Sequence, residues 1–105
     1  MSTIAPLNLL SATLVMDASF EGWSLLEPTG DDLRVFRYEV AFSRPFGVAP
    51  IVQVGIVGLD VSKDDNLRVR VRALDITSLG FTIQAETWLH TKIWSVEVSW
   101  LAIGG

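Results

Sequence analysis

Apolar and polar residues alternate with a period of two along much of this chain, and this alternation limits the fold more than any other feature. Residues 67–74, LRVRVRAL, alternate without a fault, so three arginines share one side of the segment. Residues 81–86, FTIQAE, show the same period. A period of two is typical of a β-strand with one buried and one solvated face. The chain is therefore predicted to be built from strands.

Six segments of this kind follow one another, with glycine, proline or polar residues between them. The predicted strands are Asn8–Met16, Leu33–Phe42, Ile51–Leu59, Leu67–Leu74, Phe81–Trp88 and Ile93–Ala102. Helix-period patterns are nearly absent, so the fold class is predicted to be all-β, a small antiparallel six-stranded β-sandwich. Without a repeat or a linker in the sequence, residues 1–105 are expected to form a single domain.

Two features of strand pairing are predicted from the same patterns. Residues 51–59 are apolar on both faces, which favours a central position in a sheet. The last two predicted strands are separated by only a short link, which favours a hairpin.

The composition excludes several classes of function. The net charge of -4 and the pI near 4.7 provide no basic excess for binding nucleic acid. No apolar run approaches the roughly 20 residues that a membrane-spanning helix needs, so membrane insertion is not expected. The chain has no cysteine and one histidine, His90, which argues against disulfides and metal sites. No cofactor is expected.

The N-terminal segment MSTIAPLNLLSATLVMDASF contains an apolar run, but no lysine or arginine precedes it and a proline stands at its head. These features are poor for a signal peptide, so the segment is interpreted as a strand of the domain. Without a signal peptide or cysteine, synthesis in the cytoplasm is expected, with release or export by a route that needs no such signal.

Trp88 falls among the polar residues of the alternation, where a large aromatic side chain needs an explanation. It lies at a predicted strand end, just before Leu89, His90 and Thr91. An accessible indole beside groups that form hydrogen bonds is typical of a site that stacks on a sugar ring. A tryptophan buried at a subunit contact would have the same sequence pattern, so both interpretations remain open.

Three segments of the chain, taken together, resemble a known family. They are PFGVAPIVQVGIVGLDV, NLRVRVRALDITSLGF and TWLHTKIWSVEVSWLA. They are similar to the H-type lectin domain family, and the resemblance extends over residues 22–102. It implies a small antiparallel β-sandwich that assembles as a homotrimer, sometimes as a homohexamer. It also implies shallow sites for galactose or N-acetylgalactosamine at protomer junctions, acting in multivalent adhesion or agglutination.

The same resemblance assigns site residues by position. Asp31 corresponds to an acidic residue that contacts sugar hydroxyls, with Asp32 as its substitute if the loop shifts by one. Arg68 corresponds to a sugar-binding arginine, and Trp88 to a stacking tryptophan. A carboxylate accepts hydrogen bonds from hydroxyls, a guanidinium donates to them, and an indole packs on the C–H face of a pyranose.

Two assigned positions depart from the family pattern. Leu89 stands where a family histidine contacts an acetamido group, so a preference for the N-acetyl sugar does not carry over. Trp94 replaces a family tyrosine near the site, which removes a hydroxyl and adds bulk. Both residues are included in the predicted carbohydrate site.

Several of these residues also have simpler interpretations. The row Arg68, Arg70 and Arg72 is typical of a solvated face or, in an oligomer, of a seam ion-paired with residues such as Glu86 and Glu97. Only Arg68 is assigned to the ligand. The Gly-Asp-Asp sequence at residues 30–32 is equally typical of a turn.

The other tryptophans are interpreted first as structural. Trp94 and Trp100 share the apolar side of Val96, which favours the core or its edge. Trp23, in the long acidic loop, is predicted to cover one end of the sandwich.

An enzyme is not expected. Glycoside hydrolysis needs two carboxyl groups set across a deep cleft, and short loops on a small sandwich leave little room for one. The sequence also has no nucleophile elbow and no phosphate-binding loop. The alternative to a lectin is a structural domain for trimerisation or attachment that has this fold without sugar binding.

Overall fold

The computed structural model describes residues 7–30 and 32–105, and this part of the chain forms six β-strands. They are β1 (Asn8–Asp17), β2 (Arg34–Ala41), β3 (Ile51–Val61), β4 (Arg70–Leu74), β5 (Gly80–Thr87) and β6 (Ile93–Gly104). Sheet A has the order β1-β6-β3 and sheet B the order β2-β5-β4, and every pairing is antiparallel. The predicted all-β, six-stranded antiparallel architecture is confirmed. No helix within the described residues has the length and apolar character to cross a membrane.

The two predictions about strand pairing are wrong. β3 is an edge strand of sheet A, and β6 is the central one. The outward-facing apolar residues of β3, including Ile51 and Val57, are exposed rather than covered by a further layer of this chain. β5 and β6 do not form a hairpin, because β5 lies in sheet B and β6 in sheet A. The link between them, residues 88–92, crosses from one sheet to the other.

The start of β4 also differs from the prediction, which placed it at Leu67. Residues 67–69 precede the strand, which begins at Arg70. The hydroxyl of Thr87 donates to the carbonyl oxygen of Arg68, and the hydroxyl of Thr91 donates to that of Asn66 at 2.6 Å. Side-chain hydroxyls therefore satisfy carbonyls that a regular β-ladder would have paired with backbone N–H groups.

The core lies between the two sheets and follows the predicted alternation. Phe81, Ile83 and Ala85 point inward from β5, and Val96, Val98 and Trp100 point inward from β6. An aromatic cluster closes one end of this core, where the ring of Trp100 lies 5.3 Å from Phe81 and 5.9 Å from Phe42. Burial of each of the larger of these side chains contributes about 1.5–3 kcal/mol, which makes this layer the main source of stability.

The loop between β1 and β2 covers the opposite end of the sandwich. The indole N–H of Trp23 donates to the carbonyl oxygen of Ile93 at 2.9 Å, and its ring lies 5.0 Å from Phe36. Leu25 is fully buried and its carbonyl accepts the N–H of Ile93. Trp23 thus packs on the core end, as predicted, and the loop holds the segment that follows Trp88.

Candidate functional site

Three strand ends meet at one end of sheet B, and we call this region the site end. β2 begins there, with Arg34 opposite Thr87, and β4 begins there, with Arg70 opposite Glu86. β5 ends there and leads into residues 88–92. The hydroxyl of Thr87, the residue before Trp88, donates to the carbonyl oxygen of Arg68, so Arg68 lies at the same end of the sheet as Trp88. The topology therefore brings together two of the residues predicted to bind sugar.

Trp88 is half-buried on the outer face of sheet B, on the polar side that its sequence position predicts. The guanidinium carbon of Arg70 lies 4.8 Å from the centroid of its ring. This distance is within the range of a cation–π interaction. One face of the indole is thus in contact with a positively charged group of the neighbouring strand.

Arg68 lies in a web of short-range contacts at the same end. Its Nη1 donates to Thr91 Oγ1 at 3.1 Å and to Asp65 Oδ1 at 3.3 Å. The backbone N–H of Asn66, more than Arg68 itself, holds the pKa of Asp65 below its usual value. Arg68 is therefore positioned, and its charge is balanced by a carboxylate three residues before it.

Arg34 is a buried residue that holds the backbone around the site end. The sequence patterns did not predict this role. The residue is 5% exposed. It donates hydrogen bonds to the carbonyl oxygens of Ser24 at 3.2 Å, Leu89 at 3.1 Å and Thr91 at 2.5 Å. Among the described residues its Nε has no hydrogen-bond partner, and burial lowers its pKa from the usual value. The sequence did indicate that Arg34 faces inward, because it lies two residues before Phe36 and therefore on the same side of β2.

Leu89 has an unusual backbone conformation, with a φ of 56°. A non-glycine residue in this left-handed region costs about 1 kcal/mol, so the surrounding structure must hold it. The hydrogen bond from Arg34 to its carbonyl oxygen is one such constraint. The chain thereby turns sharply after Trp88, and Leu89 itself is half-buried.

One other predicted site residue, Trp94, is not joined to this group. Asp31 lies outside the described residues, and its neighbour Asp32 is exposed. Trp94 lies on sheet A and is 49% exposed, so of its two predicted positions, the core or the edge of the core, the core is wrong. The pairing of β3 with β6 skips Trp94, and Ile93 beside it is fully buried, so the alternation that buries Val96 does not extend to Trp94. The carbonyl of Trp94 accepts the N–H of Ala18 at 2.9 Å.

A polar network extends from the site end across the outer face of sheet B. Glu86 is 2% exposed and accepts hydrogen bonds from Arg72 at 2.6 Å, Gln84 at 2.9 Å and Arg70 at 3.2 Å. Arg37 donates to the Gln84 side chain at 2.7 Å. Arg70 and Arg72 are thus ion-paired with Glu86 within one protomer, whereas the prediction placed such a seam in an oligomer, and Arg68 pairs with Asp65.

The ionisation of Glu86 follows from these contacts. Burial by itself raises the pKa of this carboxyl group. The hydrogen bonds from Gln84 and Arg72, together with the charges of Arg72 and Arg70, outweigh burial and hold the pKa below its usual value. Glu86 is therefore a carboxylate at neutral pH. In residues 7–30 and 32–105 no group of three or more acidic, histidine or cysteine side chains could hold a metal ion.

The family model of the H-type lectin domain matches residues 37–103, which include Arg68, Trp88, Leu89 and Trp94. The chain belongs to this family. Its resemblance to H-type lectins is thereby confirmed, and membership of a lectin family favours a binding role over catalysis.

Two solved structures agree with this assignment at the level of the fold, and one relative matches the chain in sequence. The chain is 41% identical over 76 residues to a Fuscovulum blasticum protein named ATP synthase subunits region ORF 7, covering 72% of this chain and 66% of that protein. Recombinant discoidin II of Dictyostelium discoideum superposes with a TM-score of 0.81 at 19% identity, and the wild-type protein with 0.79 at 19%. These matches cover 99% and 98% of this chain, but only 39% and 38% of the discoidin II chains.

Proposed function

We propose that this H-type lectin domain binds a galactose-type sugar at the site end of sheet B. The observation that carries the proposal is the position of Trp88, half-buried just after β5, beside Arg70 of β4 and next to Thr87, whose hydroxyl donates to the carbonyl oxygen of Arg68. A pyranose presents an apolar C–H face that packs on an indole, and its hydroxyls accept hydrogen bonds from a guanidinium. Membership of the lectin family supports this interpretation.

In this proposal each residue has a distinct part. Trp88 stacks on the ring, and Arg68, oriented by Asp65 and Thr91, donates hydrogen bonds to hydroxyls. Asp31 accepts hydrogen bonds from hydroxyls. Leu89 offers an apolar contact where a polar side chain would recognise an acetamido group, so galactose and N-acetylgalactosamine both remain candidates.

We further propose that the site is completed in a homo-oligomer, a trimer or a pair of trimers. Asp31 and Trp94 would then reach the sugar from a neighbouring protomer, which would explain why Trp94 is not on the same sheet as Trp88. A single shallow site buries few ligand atoms and binds weakly. Several sites on one oligomer give useful avidity on a cell surface through effective concentration.

A glycan array compares the wild-type protein with Trp88→Ala and Arg68→Ala. We expect selective binding to galactose-type glycans that each substitution abolishes, while the oligomer in size-exclusion chromatography stays intact. Arg44→Ala is the matched control, because Arg44 is exposed in the link after β2, away from the site end. Full binding by both site variants would refute the proposed site.

The second candidate is a structural domain for trimerisation or attachment without sugar binding. Exposed apolar side chains on sheet A favour it, among them Leu9, Ile51 and Val57, because soluble monomers seldom leave such groups uncovered. The same array distinguishes the candidates. A stable oligomer that binds no glycan would support the structural role.

A further inference from the structure

The outer face of sheet B carries an excess of positive charge on an otherwise acidic protein. The chain has a net charge of -4. This face nevertheless presents Arg37, Arg70 and Arg72 close to one another, linked through Gln84 and Glu86. A further carboxylate of the same face, Glu39, lies two residues beyond Arg37, away from the site end. The excess is therefore concentrated toward Trp88.

Glu86 cannot balance both of its arginines. One carboxylate is shared by the Nε atoms of Arg70 and Arg72, which leaves one positive charge uncompensated in this cluster. Arg68 differs, because Asp65 provides it with a carboxylate of its own. Since the pKa of Glu86 is lowered, the carboxylate is already ionised and offers no further compensation at neutral pH.

Arg70 has the capacity to bind an additional acceptor. Its side chain is 52% exposed, and among the described residues its hydrogen bonding is limited to the contact of Nε with Glu86. A guanidinium has five N–H donors, so the two terminal nitrogens remain available. Their carbon lies over the ring of Trp88, at 4.8 Å from its centroid. The guanidinium thus covers an indole face on which a sugar would stack, and its available donors would lie beside that sugar once the guanidinium moves aside.

We propose that the Trp88 site prefers a galactose-type sugar that carries an acidic group, recognised by Arg70; this specificity rests on the proposed sugar-binding function. A carboxylate or sulfate on the sugar draws the Arg70 guanidinium away from the indole and forms a charge-assisted hydrogen bond with it. The indole face that Arg70 covers then becomes available for stacking. A neutral sugar must displace the same guanidinium without forming this bond.

Titration calorimetry with three ligands tests the preference. They are methyl β-galactopyranoside, methyl galacturonoside and galactose 6-sulfate, each measured at about 50 mM and about 500 mM NaCl. We expect at least one acidic sugar to bind about tenfold more tightly than the neutral one, with a preference that declines at high salt. Whether the carboxylate or the sulfate is preferred identifies the acid that the site accepts.

Variants of two arginines assign the preference to its residue. Arg70→Gln should reduce the ratio of acidic to neutral affinity to about one, because glutamine keeps hydrogen-bonding capacity but loses the charge. Arg44→Gln, at the opposite end of sheet B, should keep the wild-type ratio and exclude a nonspecific effect of charge. Both variants are first checked for the wild-type thermal midpoint.

The outcomes separate this inference from the proposed function. Equal or tighter binding of the neutral sugar, lost in Trp88→Ala, would overturn the acidic preference and uphold the lectin assignment. Acidic preference that persists in Arg70→Gln would overturn the role of Arg70. If the wild-type protein binds none of the three sugars, both the acidic preference and the lectin assignment are overturned.

Discussion

At the scale of single residues, the sequence predicted the residue at the surface of the site, Trp88, but not the buried residue that holds the backbone around it, Arg34. The parity of residues 81–88 predicted that Trp88 would lie on the polar face, because side chains of a strand alternate between its two sides. The contacts of Arg34 link residues far apart in sequence, Ser24 on one side and Leu89 on the other, so no local pattern specifies them. The left-handed backbone of Leu89 is likewise imposed by its surroundings, since leucine has no preference for it.

Replacement of Arg34 should therefore destabilise the backbone around the site end. Arg34→Met removes the donors of three carbonyl oxygens around the site end. We expect the free energy of unfolding to fall by about 2–3 kcal/mol, because buried acceptors lose their partners. Urea denaturation measures this loss, and Arg44→Met, an exposed arginine, should change it by less than about 0.5 kcal/mol. Equal effects of the two substitutions would contradict the anchoring role.

Glu86 gives a prediction with a defined pH dependence. Its pKa is lowered in the folded state, so its stabilising contribution is fully present above the unfolded value of 4.5 and is lost as the pH falls through the lower folded pKa. Glu86→Gln should cost about 1 kcal/mol at neutral pH, a modest value because both arginines are half-exposed. The difference in unfolding free energy between wild type and variant should shrink below pH 4.5.

A control on the same sheet makes this test specific. Glu39 is exposed on β2, so Glu39→Gln should leave the free energy of unfolding almost unchanged at every pH. If the difference in unfolding free energy between wild type and Glu86→Gln stays constant from neutral to acidic pH, packing rather than charge accounts for the effect of the substitution.

At the scale of elements, alternation and turn residues were sufficient to predict six strands, but not how they pair. β5 and β6 are adjacent in sequence and lie in different sheets, because residues 88–92 are held across the end of the sandwich by Arg34 and by the loop around Leu25. β3 resembles a central strand in sequence because its outward side chains are apolar, yet it lies at an edge. Pairing depends on contacts between distant residues, which a single sequence pattern does not specify.

The start of β5 shows why one position requires glycine. A Cβ placed on Gly80 would lie 2.1 Å from the carbonyl oxygen of Val40, which is backbone and cannot move aside without disturbing β2. Gly80→Ala should lower the free energy of unfolding by about 1–3 kcal/mol through this overlap. Gly55→Ala is a close control, since a Cβ there meets nothing within 4 Å. Thermal unfolding of the two variants measures the difference, and similar midpoints would contradict the close approach of β2 and β5.

At the scale of the whole molecule, the exposed apolar residues bear on assembly. Ile51 is 72% exposed and Leu9 61%, and they lie on the two edge strands of sheet A. Both pair in register with Ile103 of the central strand, so the three residues form one apolar row on the outer face. Exposure of such a row is costly in water, and self-association would cover it. The sequence predicts the side chains, but one chain alone does not specify which partner surface they meet.

The proposed oligomer makes a quantitative prediction about binding. If each protomer contributes a weak site, attachment to a surface dense in galactose-type glycans should be about 100-fold tighter than binding of the free sugar, because neighbouring sites raise the effective concentration. Light scattering after size-exclusion chromatography gives the number of protomers, and biosensor measurements at high and low glycan density give the avidity. We expect a trimer or hexamer whose apparent affinity falls toward that of the free sugar as glycan density decreases. A monomer would contradict sites shared between protomers. An oligomer whose apparent affinity does not change with glycan density would show that its sites cannot bind the same surface at the same time.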